Sequence, residues 1–276
     1  FERFMARFPM LTDLAQADVD TVLSLWTGLG YYSRARNLHA SAIAVVEHHQ
    51  GQMPEQVDQL IALKGIGRST AGAIVSQAYG QPGVILDGNV KRLLTRLHAI
   101  EGWPGQSLIV KQLWLIATEL TPSQRNADYT QAIMDIGATI CKPKQPLCVA
   151  CPMQTRCQAL ANDTVGSIPT PKPKKIIPHK TISVLLLQDQ EGHTLLEQRP
   201  SQGIWGGLWS LPEFTDLKAL HTQLAFDGLP LNTSPLAPIK HVFSHYKLTI
   251  EPHLLVLANR PQKVAEKNQT RWYNSQ

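Results

Sequence analysis

All four cysteines of the chain, Cys141, Cys148, Cys151 and Cys157, fall inside seventeen residues, spaced C-x6-C-x2-C-x5-C. A set that tight is a closed quartet of thiolate donors. It forces the segment into a compact loop around a metal centre. Pairwise disulfides need an oxidising compartment, so the quartet predicts a reducing, cytoplasmic setting with a metal-bearing loop over 141–157.

The rest of the chain divides by pattern. With 276 residues and 43% apolar composition, two domains with real cores are expected. Residues 1–166 read as helical, with about eight helices and no clear strand. Val90, Leu93, Leu94 and Leu97 form one stripe, and Ala71, Ile74, Val75 and Ala78 another. Residues 167–180 are rich in proline and lysine, which predicts an extended connector. Its lysines allow two readings, a solvated linker or a contact to a nucleic acid backbone. Residues 181–276 shift to strand patterns: TISVLLLQ, HTLLEQRP and HVFSHYKLTIEPHLLVL, the last as two strands or one. One helix is expected from Asp216 to Leu224, making this a small α+β domain. No apolar run approaches the ~20 residues of a membrane span. The formal charge of +5 and pI near 9.0 allow a polyanionic partner but fit a soluble enzyme equally.

Leu63-Lys-Gly-Ile-Gly-Arg-Ser-Thr-Ala71 lies between two helical patterns, within a hairpin expected over 57–79. Its glycines permit a tight reversal with bare backbone. The second helix would start near Arg68 with N–H groups free to hold a phosphate oxygen. An ordinary αα-turn explains the same glycines. Twenty residues past Gly67 lies Asp87, within Val84-Ile-Leu-Asp-Gly-Asn-Val-Lys-Arg92. Asp87 precedes a helix, so it reads first as an N-cap. An ionised carboxylate there can also face a developing cation, such as the oxocarbenium-like sugar formed when an N-glycosidic bond breaks.

The hairpin, the V-I-L-D-G-N-V-K-R segment and the cysteine loop, in this order, resemble the helix-hairpin-helix DNA glycosylase superfamily. With the second domain, the resemblance narrows to the adenine DNA glycosylase (MutY-like) branch. It implies an all-α helix-hairpin-helix glycosylase domain with an iron–sulfur loop, followed by a Nudix-like α+β domain. The implied activity is removal of adenine opposite 8-oxoguanine or guanine in double-stranded DNA, by a monomeric, nucleoid-associated bacterial enzyme. Asp87 takes the catalytic role. Gly65, Gly67, Arg68, Ser69 and Lys91 meet DNA, and Tyr31, in Leu29-Gly-Tyr-Tyr-Ser-Arg-Ala-Arg36, wedges beside the oxidised guanine. Without the resemblance, Tyr31 reads as a half-buried core aromatic. Ser69 occupies the position where the endonuclease III-like glycosylase/lyase carries its nucleophilic lysine, and a Schiff base needs an amine.

The quartet is implied to hold a [4Fe–4S] cluster. Zinc sites usually use two close pairs, and only Cys148 and Cys151 form one. Lys142, Lys144 and Arg156 lie in the loop and present charge to phosphates. In the second domain Gly207 to Glu213 matches the opening G-x5-E of a Nudix segment. The stretch His221–Phe226 lacks the carboxylates that hold Mg²⁺, so diphosphate hydrolysis is not expected. Phe243, Ser244 and His245 match the family's Phe-Ser-His loop and are implied to read 8-oxoguanine.

The family's general acid, a glutamate, lies on a helix before everything in this sequence, which opens on Phe1; Glu2 lies in the wrong motif. The chain is thus expected to be a fragment that excises adenine negligibly by itself. A non-catalytic lesion-binding protein and an endonuclease III-like lyase are the competing readings.

Overall fold

A computed structural model describes the chain except residues 174–175, 201–202, 204, 215–232, 244–245, 259–269 and 275–276. By packing, the chain divides into two compact units: Phe1–Leu25 with Arg34–Lys174, and Trp26–Ser33 with Lys175–Gln276.

The helical part holds α1 (Glu2–Arg7), α2 (Leu11–Gln16), α3 (Val19–Leu25), α4 (Tyr32–His48), α5 (Val57–Ala62), α6 (Arg68–Tyr79), α7 (Gly88–Leu97), α8 (Ser107–Leu120), α9 (Asn126–Asp135) and α10 (Gln158–Ala161). The core forms around α7. Val90, Leu93, Leu94 and Leu97 are buried against Leu113 and Ala117 of α8, Ile133 of α9, and Ile85 and Leu86 before α7. Each buried aliphatic side chain contributes about 1.5–3 kcal/mol relative to exposure. A second cluster joins Val45, Leu60, Leu63, Ala71 and Val75 beneath the α5–α6 turn.

The α6 stripe differs from its sequence pattern. Ala78 is exposed and Ser76 is buried instead. Ser76 is accommodated by hydrogen bonding to the Thr130 hydroxyl and to the Asn126 carbonyl at 3.1 Å. Helical spacing shows which face is buried, but not that a polar partner on α9 awaits one of its positions.

Two glycines let α6 lie directly on the segment that leads to α7. A Cβ on Gly72 would stand 2.0 Å from the Val84 carbonyl oxygen, and one on Gly83 would stand 2.0 Å from the Gly72 carbonyl oxygen. No side chain fits at either position.

The second unit holds β1 (His179–Gln188), β2 (Thr194–Gln198), β3 (Trp209–Ser210), β4 (Glu213–Phe214), β5 (Ser234–Pro235), β6 (Ile239–Val242), β7 (Lys247–Val256) and β8 (Thr270–Tyr273). β1 runs parallel to β7, from His179 opposite Lys247 to Gln188 opposite Val256; the other pairings are antiparallel. Leu185, Leu187, Leu195, Leu255 and Leu257 pack with Phe214 and Trp272 as its core. β6 and β7 are separate strands closed by a bond from Phe243 N–H to the Tyr246 carbonyl at 2.9 Å. The expected helix from Asp216 to Leu224 and the His221–Phe226 stretch lie outside the described residues. Among the described residues no helix is long and apolar enough to cross a membrane.

Candidate DNA interface, acidic centre and metal loop

The α5–α6 reversal is built around Gly65, whose φ is +85°. That conformation is open to glycine with little strain. Space requires glycine as well, since a Cβ there would lie 2.7 Å from the Asn37 Cβ. The Ser41 hydroxyl donates to the Lys64 carbonyl at 2.8 Å and fixes the turn from below. Gly67 is the extended N-cap of α6 and supplies no side-chain cap. The first-turn N–H groups of α6 therefore face outward, the arrangement that binds a phosphate oxygen.

Arg68 and Ser69 each make a contact within the helical unit. The Arg68 guanidinium stacks 3.9 Å over the Trp114 ring on α8. The Ser69 hydroxyl accepts the Leu86 N–H at 2.9 Å, tying α6 to the strand-like segment before α7.

Asp87 is the N-cap of α7, half-buried, with Oδ1 accepting the Val90 N–H at 2.7 Å. Oδ2 has no hydrogen-bond partner among the described residues. A cap with one open oxygen, fixed at the positive end of a helix, can hold a negative charge toward a ligand. Lys91 follows one turn later, its N–H bonded to the Asp87 carbonyl at 2.9 Å.

The cysteines lie against the other end of α7. After α9 the helix widens over Ile136–Ile140, and the Cys141 N–H reaches back five residues to Ile136 O at 2.7 Å. Gly137 lets this wide turn press on α7, where a Cβ would stand 2.9 Å from the Asn89 Cβ. All four cysteines then line one cavity with Leu93, Arg96 and Leu97. Among the described residues no three of these sulfurs lie within 4.8 Å of one another. Four thiolates on a single zinc would be about 3.8 Å apart, from a ~2.3 Å Zn–S bond. Four thiolate donors around one cavity are a donor set suited to an iron–sulfur cluster. Burial pushes the Cys148 thiol above its ordinary value, Cys141 and Cys157 add to that, and Arg96 opposes it. Lys144 and Arg156 are exposed on the loop surface.

Two arginines overlooked in the sequence organise this loop. Arg92 donates to the Cys141 carbonyl at 2.7 Å, the Gly137 carbonyl at 2.6 Å and Asn89 Oδ1 at 2.8 Å. Arg96 is only 4% exposed and donates to Ile168 O at 2.8 Å, Lys142 O at 2.8 Å and Cys141 Sγ at 3.4 Å. The available signal was their i, i+4 spacing on a helix that faces four thiolates, whose charge requires cations nearby.

Tyr31 ends the turn Gly28–Gly30 in a left-handed conformation, φ +47°, and is 71% exposed. The Trp26 indole N–H holds the turn through the Gly30 carbonyl at 3.0 Å. Phe243 sits beside Trp205 and Tyr246, with ring centroids 5.4 and 4.9 Å away. Ser244 and His245 lie outside the described residues. Glu213 forms an ion pair with Arg199.

Residues 1–118 match the model of the HhH-GPD superfamily base excision DNA repair proteins, and residues 183–276 match the NUDIX domain model. The chain is 36% identical over 275 residues to an adenine DNA glycosylase of Buchnera aphidicola, covering 99% of this chain and 78% of that one. It is 35% identical to the adenine DNA glycosylase of Homo sapiens, covering 98% of this chain and 59% of the human one. Among solved structures, a thermostable thymine-DNA glycosylase superposes with a TM-score of 0.51 at 24% identity, over 58% of this chain and 74% of that one. An endonuclease III in a DNA complex gives 0.50 at 23% identity, over 59% and 74%. These two structures share the fold.

Proposed function

The chain belongs to the adenine DNA glycosylase family, and we propose that it hydrolyses the N-glycosidic bond of adenine paired with 8-oxoguanine or guanine. Adenine removal in base excision repair is the activity of the family. The mispair preference, the residue roles and the cofactor belong to this proposal.

In this reading the outward N–H groups of α6, with Gly65 and Gly67 at the turn, grip a DNA phosphate. Arg68, Ser69 and Lys91 flank that grip. Tyr31 wedges between bases and offsets part of the unstacking cost of a few kcal/mol. The adenine swings out, and its deoxyribose meets the open oxygen of Asp87. As the bond breaks, the electron pair leaves with adenine and positive charge grows on the sugar. Asp87 stabilises that charge. Water then adds to C1′, and its proton balances the departing base. Ser69 has no amine and already accepts the Leu86 N–H, so a dedicated lyase step has no nucleophile at that position. Phe243, Ser244 and His245 read the oxidised guanine.

Cys141, Cys148, Cys151 and Cys157 would hold a [4Fe–4S] cluster, which supplies a structural tie for the loop. The enzyme acts as a monomer on nucleoid DNA.

The observation that carries the reading is the half-occupied carboxylate of Asp87 at the start of α7. The test is single-turnover adenine release from A·8-oxoguanine, A·G and A·T duplexes, with Asp87→Asn beside the unaltered sequence, both in the intact protein. Asp87→Asn should keep DNA affinity and lose on the order of 10²–10³-fold in rate. An unchanged rate would reduce Asp87 to a helix cap.

A further inference from the structure

The Pro/Lys segment does not leave the helical unit at its first residue. Ile168 is 5% exposed and its carbonyl receives Arg96 Nε at 2.8 Å. Thr170 Oγ1 accepts the Gly102 N–H at 3.1 Å. Lys172 Nζ stands 5.7 Å from the centroid of the Trp103 ring. Trp103 is itself held tightly, because a Cβ on Gly105 would lie 2.2 Å from its ring. Residues 168–172 thus fold back and form one side of an open cavity of ≈ 390 Å³ beside the start of α7.

The chemistry of that cavity is one-sided. Lys91, Arg92 and Lys172 line it with Trp103, Thr170 and Pro143, and no carboxylate is in its walls. Arg92 has committed three hydrogen bonds to Cys141, Gly137 and Asn89, so it contributes charge more than free donors. Lys91 and Lys172 have no acidic partner among the described residues. Lys91, Arg92 and Lys172 put three cations in one wall, with the Asp87 carboxylate the acidic group next to it, and an anion bound there relieves their mutual repulsion. Gly88, the residue after Asp87, is also in the wall. The deoxyribose facing Asp87 carries a phosphate on each side, and one helical turn of ~5.4 Å separates Asp87 from Lys91.

We propose that this pocket takes one phosphate of the strand carrying the target adenine, held between Lys91 and Lys172, with Trp103 fixing Lys172. The inference rests on the DNA-glycosylase reading above and extends it to the first residues of the connector. It gives those residues a binding role that composition left open. A second charge on the α7 side would keep the strand in register while the base swings out.

The test uses binding alone, so it stands apart from whether adenine is released. Duplexes carrying a single neutral methylphosphonate, placed in turn at each phosphate flanking the adenine, are titrated with the protein and with Lys172→Ala at several salt concentrations. One position should weaken the unaltered protein several-fold and leave Lys172→Ala unaffected. The slope of log K against log salt should fall by about 0.9 in Lys172→Ala, and Lys172→Arg should restore it. An unchanged slope, or equal losses in both proteins at every position, would overturn the proposal.

Discussion

The hydroxyl of Ser69 accepts the backbone N–H of Leu86 at 2.9 Å, so one side chain ties the α5–α6 turn to the approach to Asp87. Leu86 is 3% exposed, so its N–H depends on this partner. Ser69→Ala should cost about 1–3 kcal/mol in denaturant unfolding, the cost of an orphaned buried donor. Adenine release should fall further than DNA affinity, because Asp87 shifts while the α6 N–H groups remain. Equal losses in both would show that Ser69 acts only at the DNA surface.

Glycine in mid-helix is usually a loss of about 0.5–1 kcal/mol against alanine. Gly72→Ala should nevertheless destabilise, since its Cβ would meet Val84 O at 2.0 Å. Overpacking of this kind costs about 1–3 kcal/mol or more, which outweighs the helical gain. Gly83→Ala should behave alike. Thermal unfolding decides the sign, and a raised Tm for Gly72→Ala would contradict the close approach.

Arg96→Met removes the donors that hold Ile168, Lys142 and Cys141 together. Ile168 O and Cys141 Sγ, both buried, and the part-buried Lys142 O lose this partner, a loss of several kcal/mol. Purified Arg96→Met should contain less iron and labile sulfide per chain, with weaker visible absorption, than the unaltered protein. Full iron content would show that the loop closes without the arginine.

On the cluster reading, chelation should melt the loop over 141–157 and the α10 turn while leaving the α5–α6 hairpin folded. Far-UV circular dichroism should drop modestly and DNA affinity substantially, since Lys144 and Arg156 lose their fixed positions. Finding one zinc and no iron in the untreated protein would replace the cluster with a single-ion site.

Tyr31 should show opposite signs in stability and function. Its φ of +47° suits glycine, so Tyr31→Gly should stabilise the turn or leave it neutral, within about 1 kcal/mol. The same change removes the ring offered to the duplex. Discrimination between A·8-oxoguanine and A·T should fall in single-turnover assays; unchanged discrimination would argue that Tyr31 does not wedge.

Much of the architecture was legible in one dimension because it follows from local rules. The stripe Val90, Leu93, Leu94, Leu97 names a helix and its buried face. Asp87 before that stripe names a cap, and Gly65 names a reversal that needs positive φ. Four clustered cysteines name a compact loop, and the fold gathers them around one cavity. Residues whose meaning comes from a distant partner were not legible. That Ser69 also ties α6 to Leu86 shows only once the two are side by side. Arg92 and Arg96 read as solvated charges on an ordinary helix until Cys141 and Ile168 arrive from 45 or more positions away.

Sequence alone determined the two-part plan, the acidic cap and the thiolate quartet, because spacing along a helix or loop decides each. Tertiary packing decided that Asp87 keeps one oxygen open, that α6 lies on Val84 through two glycines, and that the connector's first residues belong to the helical unit. These depend on backbone groups brought together across the chain, where hydrogen bonding and close contact act without regard to sequence separation.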